Sequence, residues 1–175
     1  MPQYIRAHVP GGSFFFTVAL LERKRDLLVS RIDLLRAAFR EVRHRRPFHI
    51  DAIVVLPDHL HCIWTLPEGD ADFSTRWRLI KTIFSWGIPS IERRSACRQA
   101  RDERGIWQRR FWEHAIRDAR DFEAHVNYIH FNPVKHGHVD RVVDWPHSSF
   151  HRFVREGRYP VDWAGSGHDL DVGDD

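Results

Sequence analysis

The chain has 175 residues, 42% of them hydrophobic and 29% charged, enough for one domain with a real core. No apolar stretch approaches the roughly 18–20 residues that span a bilayer, and the opening residues lack the apolar core of a signal peptide. Cys62 and Cys97 give no disulfide framework, so membrane spans and a disulfide scaffold are read out and a reducing cytoplasm is expected. The 27 basic residues, nearly all arginine, outnumber the acidic residues by three. Asp162, Asp169, Asp171, Asp174 and Asp175 lie toward the end of the chain, so the body before them is more basic than the total. Arginine is the better fork for phosphate. Together with seven tryptophans, it is what single-stranded nucleic acid asks for.

Gly11-Gly12 marks a turn, and 14–20 (FFFTVAL) is a buried strand by its aromatic and β-branched content. Leu27, Leu28, Ile32, Leu35, Ala38, Phe39 and Val42 recur at helical spacing and predict a helix over about 24–45. It ends in Arg43-His44-Arg45-Arg46, cations that suit a helix C-terminus or a phosphate. Residues 48–56 and 59–66 are strands joined at Pro57-Asp58, a hairpin over 48–66. Ser74 can cap a helix that runs to Gly87. Residues 90–105, rich in arginine (Arg93, Arg94, Arg98, Arg101, Arg104), read as a loop or frayed helix, and 106–117 as extended. Asp118 caps a helix ending at Pro133. Residues 139–143 form a short extended piece, and Trp145-Pro146 begins a structured turn through Ser148-Ser149. The order predicts an α+β fold, a ferredoxin-like or RRM-like antiparallel sheet with helices packed on it. One domain is expected over 1–163, with a disordered acidic tail at 164–175.

Alternate side chains of a strand share a face, so His59 and His61 project together while Leu60 and Cys62 face the other way. Two imidazoles at this spacing in an apolar strand are a two-nitrogen metal clamp, or two structural histidines that must find partners. Tyr128 and Asn132 lie one helical turn apart, so an oxygen ligand from Asn132 could join the pair, with His125 and His114 as alternates. Asn132 precedes Pro133, which disfavours helical backbone there. Tyr128 is a core-edge aromatic or a nucleophile. A phenol of pKa about 10 needs help at neutral pH, which a metal or Lys135 could give. Arg109, Arg110 and Arg117, interleaved with Trp107 and Trp112, could combine phosphate attraction with base stacking, or could form a core with a solvated rim.

These segments resemble a known family. PDHLHCIW followed by NYIHFNPVKHG is similar to the single-tyrosine HUH transposases. With GGSFFFT, WQRRFWEHAIRD and DWPHSSF added, the chain resembles the REP-associated tyrosine transposases from about Gly11 to Phe153. The resemblance implies Tyr128 as nucleophile and a divalent ion, Mg²⁺ or Mn²⁺, on His59 and His61, with Asn132 completing the site. It also implies cleavage and rejoining of single-stranded DNA, with hairpin-forming repeats as substrate, through a 5′-phosphotyrosine. A bacterial, nucleoid-associated monomer is expected, whereas insertion-sequence relatives are dimers. The rival readings are a catalytically silent hairpin-binding module, a hydrolase using activated water, and a replication-initiator or relaxase-type nuclease.

Overall fold

The computed structural model describes residues 5–90, 94–165 and 172. Arg93, Tyr4 and most of the predicted tail lie outside the described residues. In chain order the elements are β1 (Ser13–Ala19), α1 (Leu27–Ser30), α2 (Ile32–Arg45), β2 (His49–Val55), β3 (His59–Thr65), α3 (Phe73–Trp86), α4 (Ala96–Ala100), β4 (Trp112–Ala115), α5 (Ala119–Lys135), a 3₁₀ turn (Val142–Asp144) and α6 (Phe150–Arg155). The strands form one sheet in the order β2-β3-β1-β4, every neighbouring pair antiparallel. With helices crossing between β1 and β2 and between β3 and β4, this is the ferredoxin-like arrangement.

Period-two alternation divides the sheet between two cores. Phe14, Phe16 and Val18 of β1, with Leu60, Cys62 and Trp64 of β3, face α2 and α3. Trp64 stacks on Trp77 of α3 with ring centroids 4.2 Å apart. Phe15, Ala52, Val54 and Ile63 face α5, where they meet Val126, Tyr128 and Ile129. Cys62 is thus a buried filler on the far side of the sheet from its histidine neighbours, as the alternation predicts. β1 and β3 are the central strands, the most rigid support the sheet offers.

Several boundaries differ from expectation for physical reasons. The helix predicted over 24–45 begins at Leu27 and breaks at Arg31. The residues before it are drawn into tertiary pairing: Leu20 donates its N–H to Asp58, Leu21 to Ile106 and Leu28 to Pro57. Asp72, not Ser74, caps α3 by accepting the Thr75 N–H at 3.0 Å, which seats Phe73 in the core. A side-chain cap of this kind contributes about 1 kcal/mol. α5 does not stop at Pro133 but runs through it to Lys135. Residues 139–143 are not extended; the chain bends there into the 3₁₀ turn. His147 and Ser149 then pair with Val55 and Ile53, which covers the β2 edge before the unanticipated α6. Among the described residues no helix is long and apolar enough to cross a membrane.

Candidate active site and candidate metal centre

His59 and His61 lie on β3 with ring centroids 4.9 Å apart, facing α5. His61 is fully buried and His59 nearly so. Each ring is oriented through Nδ1. The Asp58 carboxylate lies 2.8 Å from His59 Nδ1, and the Thr17 hydroxyl 2.8 Å from His61 Nδ1. Thr17 is available because β1 pairs with β3 in a register that sets it opposite His61. A carboxylate on one imidazole nitrogen fixes the tautomer and leaves the lone pair on Nε2, the atom a metal ion would take. Burial, reinforced by His59 and His136, holds the His61 pKa well below the ordinary histidine value. The neutral ring is the ligating form.

Asp58 carries its own support. Burial pushes its carboxyl up, but His59 and Arg23 outweigh this and keep it below the usual range. It therefore stays an acceptor for the imidazole N–H.

α5 lies across the pair. The Tyr128 ring stands 5.2 Å from His61, and the His136 ring at the C-cap stands 5.2 Å from His59. Asn132 falls midway between them at four-residue spacing, so it belongs to the stripe that looks onto the histidines. It is fully buried, yet neither its amide nitrogen nor its oxygen meets a hydrogen-bond partner among the described residues. Orphaned amide atoms at such depth are rare and costly unless something else occupies them. Two oriented imidazoles and an unpartnered amide oxygen are a donor set that fits a divalent ion. They leave positions open for a phosphate oxygen.

Lys135 places its ammonium 4.7 Å from the centre of the Tyr128 ring. His114 and His125, the alternate ligands, go elsewhere. They stack on each other at 4.7 Å and converge on Asp121, and the Phe15 ring packs against both His125 and His61. His114 Nε2 and His125 Nδ1 lie 2.9 and 3.1 Å from the Asp121 carboxylate. The three ligand atoms fall within 4.8 Å of one another, a spacing a metal ion could use. The same carboxylate already accepts the Arg117 backbone N–H at 2.9 Å, beside the Arg117 guanidinium and in the first turn of α5. Both the guanidinium and the positive end of the helix disfavour a cation there. The trio is a hydrogen-bonded clamp that ties β4 to α5 and thereby fixes where Tyr128 stands.

That clamp titrates. Burial pushes the Asp121 carboxyl up, but the Arg117 N–H and the His114 side chain outweigh it and hold the pKa at about 2. A depressed carboxylate stabilises the fold fully above its unfolded pKa of about 3.9 and loses that contribution as pH falls toward 2. Asp121→Asn is expected to cost about 2 kcal/mol near neutrality, with the gap from wild type narrowing below pH 4. Urea melts at pH 7, 4 and 3 measure it; a gap independent of pH would contradict the assignment.

The remaining sequence candidates scatter. Trp107, Arg109 and Arg110 line a cleft beside α3. Trp112 is half-exposed on the edge strand β4, and Arg109 donates through Nη2 to both carboxylate oxygens of Glu103 at 3.0 Å. Arg117 belongs to the Asp121 clamp. Four supporting residues escaped the sequence reading: Thr17, Asp58, Asp121 and His136. Asp58 was legible as the neighbour of His59 but was read only as a turn former. Asp121, four before His125, was a visible i,i+4 partner.

No family model matches the chain. A REP-associated tyrosine transposase of Escherichia coli strain K12 is 51% identical over 174 residues, 99% of this chain and 98% of that one. A relative from Haemophilus influenzae is 45% identical over 167 residues, 95% of each chain. Among solved structures, a REP-associated tyrosine transposase bound to a REP hairpin superposes with a TM-score of 0.84 at 50% identity. The match covers 100% of this chain and 98% of that one. Likeness of this extent, in residues and backbone alike, is a statement of descent: the chain belongs to the REP-associated tyrosine transposases.

Proposed function

We propose that this protein cleaves and rejoins single-stranded DNA beside hairpin-forming repeats, with Tyr128 as nucleophile. The observation that carries the reading is the stacking of Tyr128 and the unpartnered Asn132 on one helix face, over two oriented histidines. The hairpin bound by the solved relative supports hairpin DNA as substrate. His59, His61 and Asn132 would hold a divalent ion, Mg²⁺ or Mn²⁺, which when bound supplies Lewis acidity to a phosphoryl oxygen. Imidazole ligands lean toward Mn²⁺.

The chain's own residues do the rest. Tyr128 Oη gives up its proton and bonds to phosphorus; the P–O3′ bond breaks, and the departing oxygen takes a proton to become a 3′-hydroxyl. A 5′-phosphotyrosine remains, storing the bond energy, so that a second 3′-hydroxyl can reverse the step and join strands. Lys135 favours the phenolate by its charge. Tyr128 is 1% exposed, so a phosphodiester reaches its hydroxyl only after some movement of the surrounding residues.

The test is incubation with a labelled hairpin carrying a single-stranded flank, with Mn²⁺ or Mg²⁺, resolved on a denaturing gel. A protein–DNA adduct that disappears in His59→Ala/His61→Ala is the expected result. DNA bound but never captured, with either metal, would move the reading to a hairpin-binding module.

A further inference from the structure

A cleft of about 580 Å³ lies between the C-terminal half of α3 and the segment 98–110, with Lys81 in its wall. We propose that Lys81 is a modification site, a reactive amine that takes an acyl group from a small acyl phosphate. The proposal is independent of the cleavage chemistry.

The residue type is itself informative. Of the 27 basic residues, only Lys24, Lys81 and Lys135 are lysines. An arginine could carry the charge and make a hydrogen bond at position 81, but it never gives up its proton. Lys24 and Lys135 are exposed, whereas Lys81 is half-buried.

The amine is held in place and drawn from water. Lys81 Nζ donates to the Gln108 carbonyl at 3.0 Å. It lies 5.4 Å from the centre of the Phe111 ring and 5.9 Å from that of Trp107. The Arg6 guanidinium covers the same Phe111 ring at 3.9 Å, so a second cation stands close by. Burial, reinforced by Arg6, lowers the Lys81 pKa to about 8. The carboxylates that could oppose this are engaged elsewhere: Glu113 by Arg6, Glu103 by Arg109, and Asp102 by Arg94 at 3.6 Å. An amine that sheds its proton near neutrality is a nucleophile.

The same cleft offers a hold for phosphate. Arg98 and Arg110 line it and meet no carboxylate among the described residues. The loop that carries them is fixed. The Arg104 guanidinium donates to the Ser85 carbonyl and, at 3.0 Å, to that of Pro89, which ties the loop to the end of α3. Gly105 has φ of +73°, and the Arg98 side chain passes within 3.2 Å of where a Cβ would stand. Guanidinium forks suit a phosphate, and an acyl phosphate anchored on them presents its carbonyl carbon to an amine in the same concavity.

The step balances. Unprotonated Nζ bonds to the carbonyl carbon, and the bond from that carbon to the phosphate oxygen breaks. Hydrogen phosphate leaves with the proton that the new amide nitrogen sheds. The amide keeps one N–H for the Gln108 carbonyl, but the positive charge is gone. Gln108 donates its backbone N–H to Ala19, the cross-strand partner of His59. The modification therefore changes charge beside the segment that meets the histidine end of the sheet.

The experiment treats the full-length protein with acetyl phosphate and follows acetylation of Lys81 and Lys24 by peptide mass spectrometry across a pH series. Lys81 is expected to react about tenfold faster than Lys24 near pH 7.5. Its rate is expected to level off above about pH 8.5, while that of Lys24 goes on rising. The double substitution Arg98→Gln/Arg110→Gln tests the anchor. It is expected to slow acetylation of Lys81 by acetyl phosphate about fivefold and to leave its reaction with neutral N-hydroxysuccinimidyl acetate unchanged. Inorganic phosphate is expected to slow the first reagent and not the second. A Lys81 rate no greater than that of Lys24, or one that rises in parallel with it to high pH, would overturn the reactive amine. Equal effects of the double substitution on the two reagents would overturn the phosphate anchor, and with it the acyl-phosphate site.

Discussion

Tyr128→Phe is expected to abolish covalent capture of DNA while leaving the fold and hairpin binding intact. The substitution removes one oxygen. The ring keeps its contacts with Phe15 at 6.0 Å and His61 at 5.2 Å, and the lost hydroxyl costs about 1 kcal/mol at most. No other described tyrosine can stand in, because Tyr159 donates its hydroxyl to Asn127 in the cluster around Phe150 and Phe153. Removing a nucleophile typically costs at least about 10⁴-fold in rate. Single-turnover cleavage on a denaturing gel, set beside anisotropy on the same hairpin, separates chemistry from binding. If cleavage persisted in Tyr128→Phe, the attacking group would be water and the rejoining activity would have no stored bond to draw on.

The parts of this site that could be read from the sequence are those set by local period. His59 and His61 share a face because they are two apart in a strand. Tyr128 and Asn132 share one because they are four apart in a helix that Asp118 caps at 2.8 Å from the Asp121 N–H. What escaped depends on register between elements. Thr17 orients His61 only because β1 meets β3 with those residues opposed, and nothing near Thr17 in the chain announces it. The aromatic content misled in the same way. Of the seven tryptophans that together pointed to nucleic acid, Trp64 and Trp77 are the centre of the core under α2 and α3. Trp86 and Trp112 are the tryptophans among the described residues that the fold leaves exposed. α6 was missed because only Phe150 and Phe153 carry its period, hidden behind a turn-forming Ser148-Ser149. At Pro133 local rule and fold conflict outright. The helix absorbs a proline near its end, which keeps His136 over His59. Such a conflict with local preference is expected where function sets the geometry.

Asn132→Leu is expected to stabilise the protein and cripple it at once. Leucine has the same branched skeleton of heavy atoms as asparagine, is bulkier by its methyl groups, and has the higher helix propensity, so what it loses to crowding is set against the polar atoms it removes. It also removes two amide atoms that sit at 0% exposure with no hydrogen-bond partner among the described residues, each worth about 1–3 kcal/mol of desolvation. A rise of several degrees in Tm is the expected sign with metal absent. Divalent-ion affinity is expected to fall by about 100-fold or more, and cleavage at limiting Mn²⁺ to fall with it. The complementary change, Asn132→Asp, tells the two roles of this position apart. A buried, unpaired carboxylate is a heavy penalty in EDTA. The same carboxylate is a better ligand than an amide once Mn²⁺ is present. Melts of Asn132→Asp are therefore expected to run well below wild type in EDTA and to recover as Mn²⁺ is added, with cleavage restored in parallel. A variant that stayed destabilised in saturating Mn²⁺, with His59 and His61 intact, would place the metal away from Asn132. The orphaned amide would then be a cost with no return.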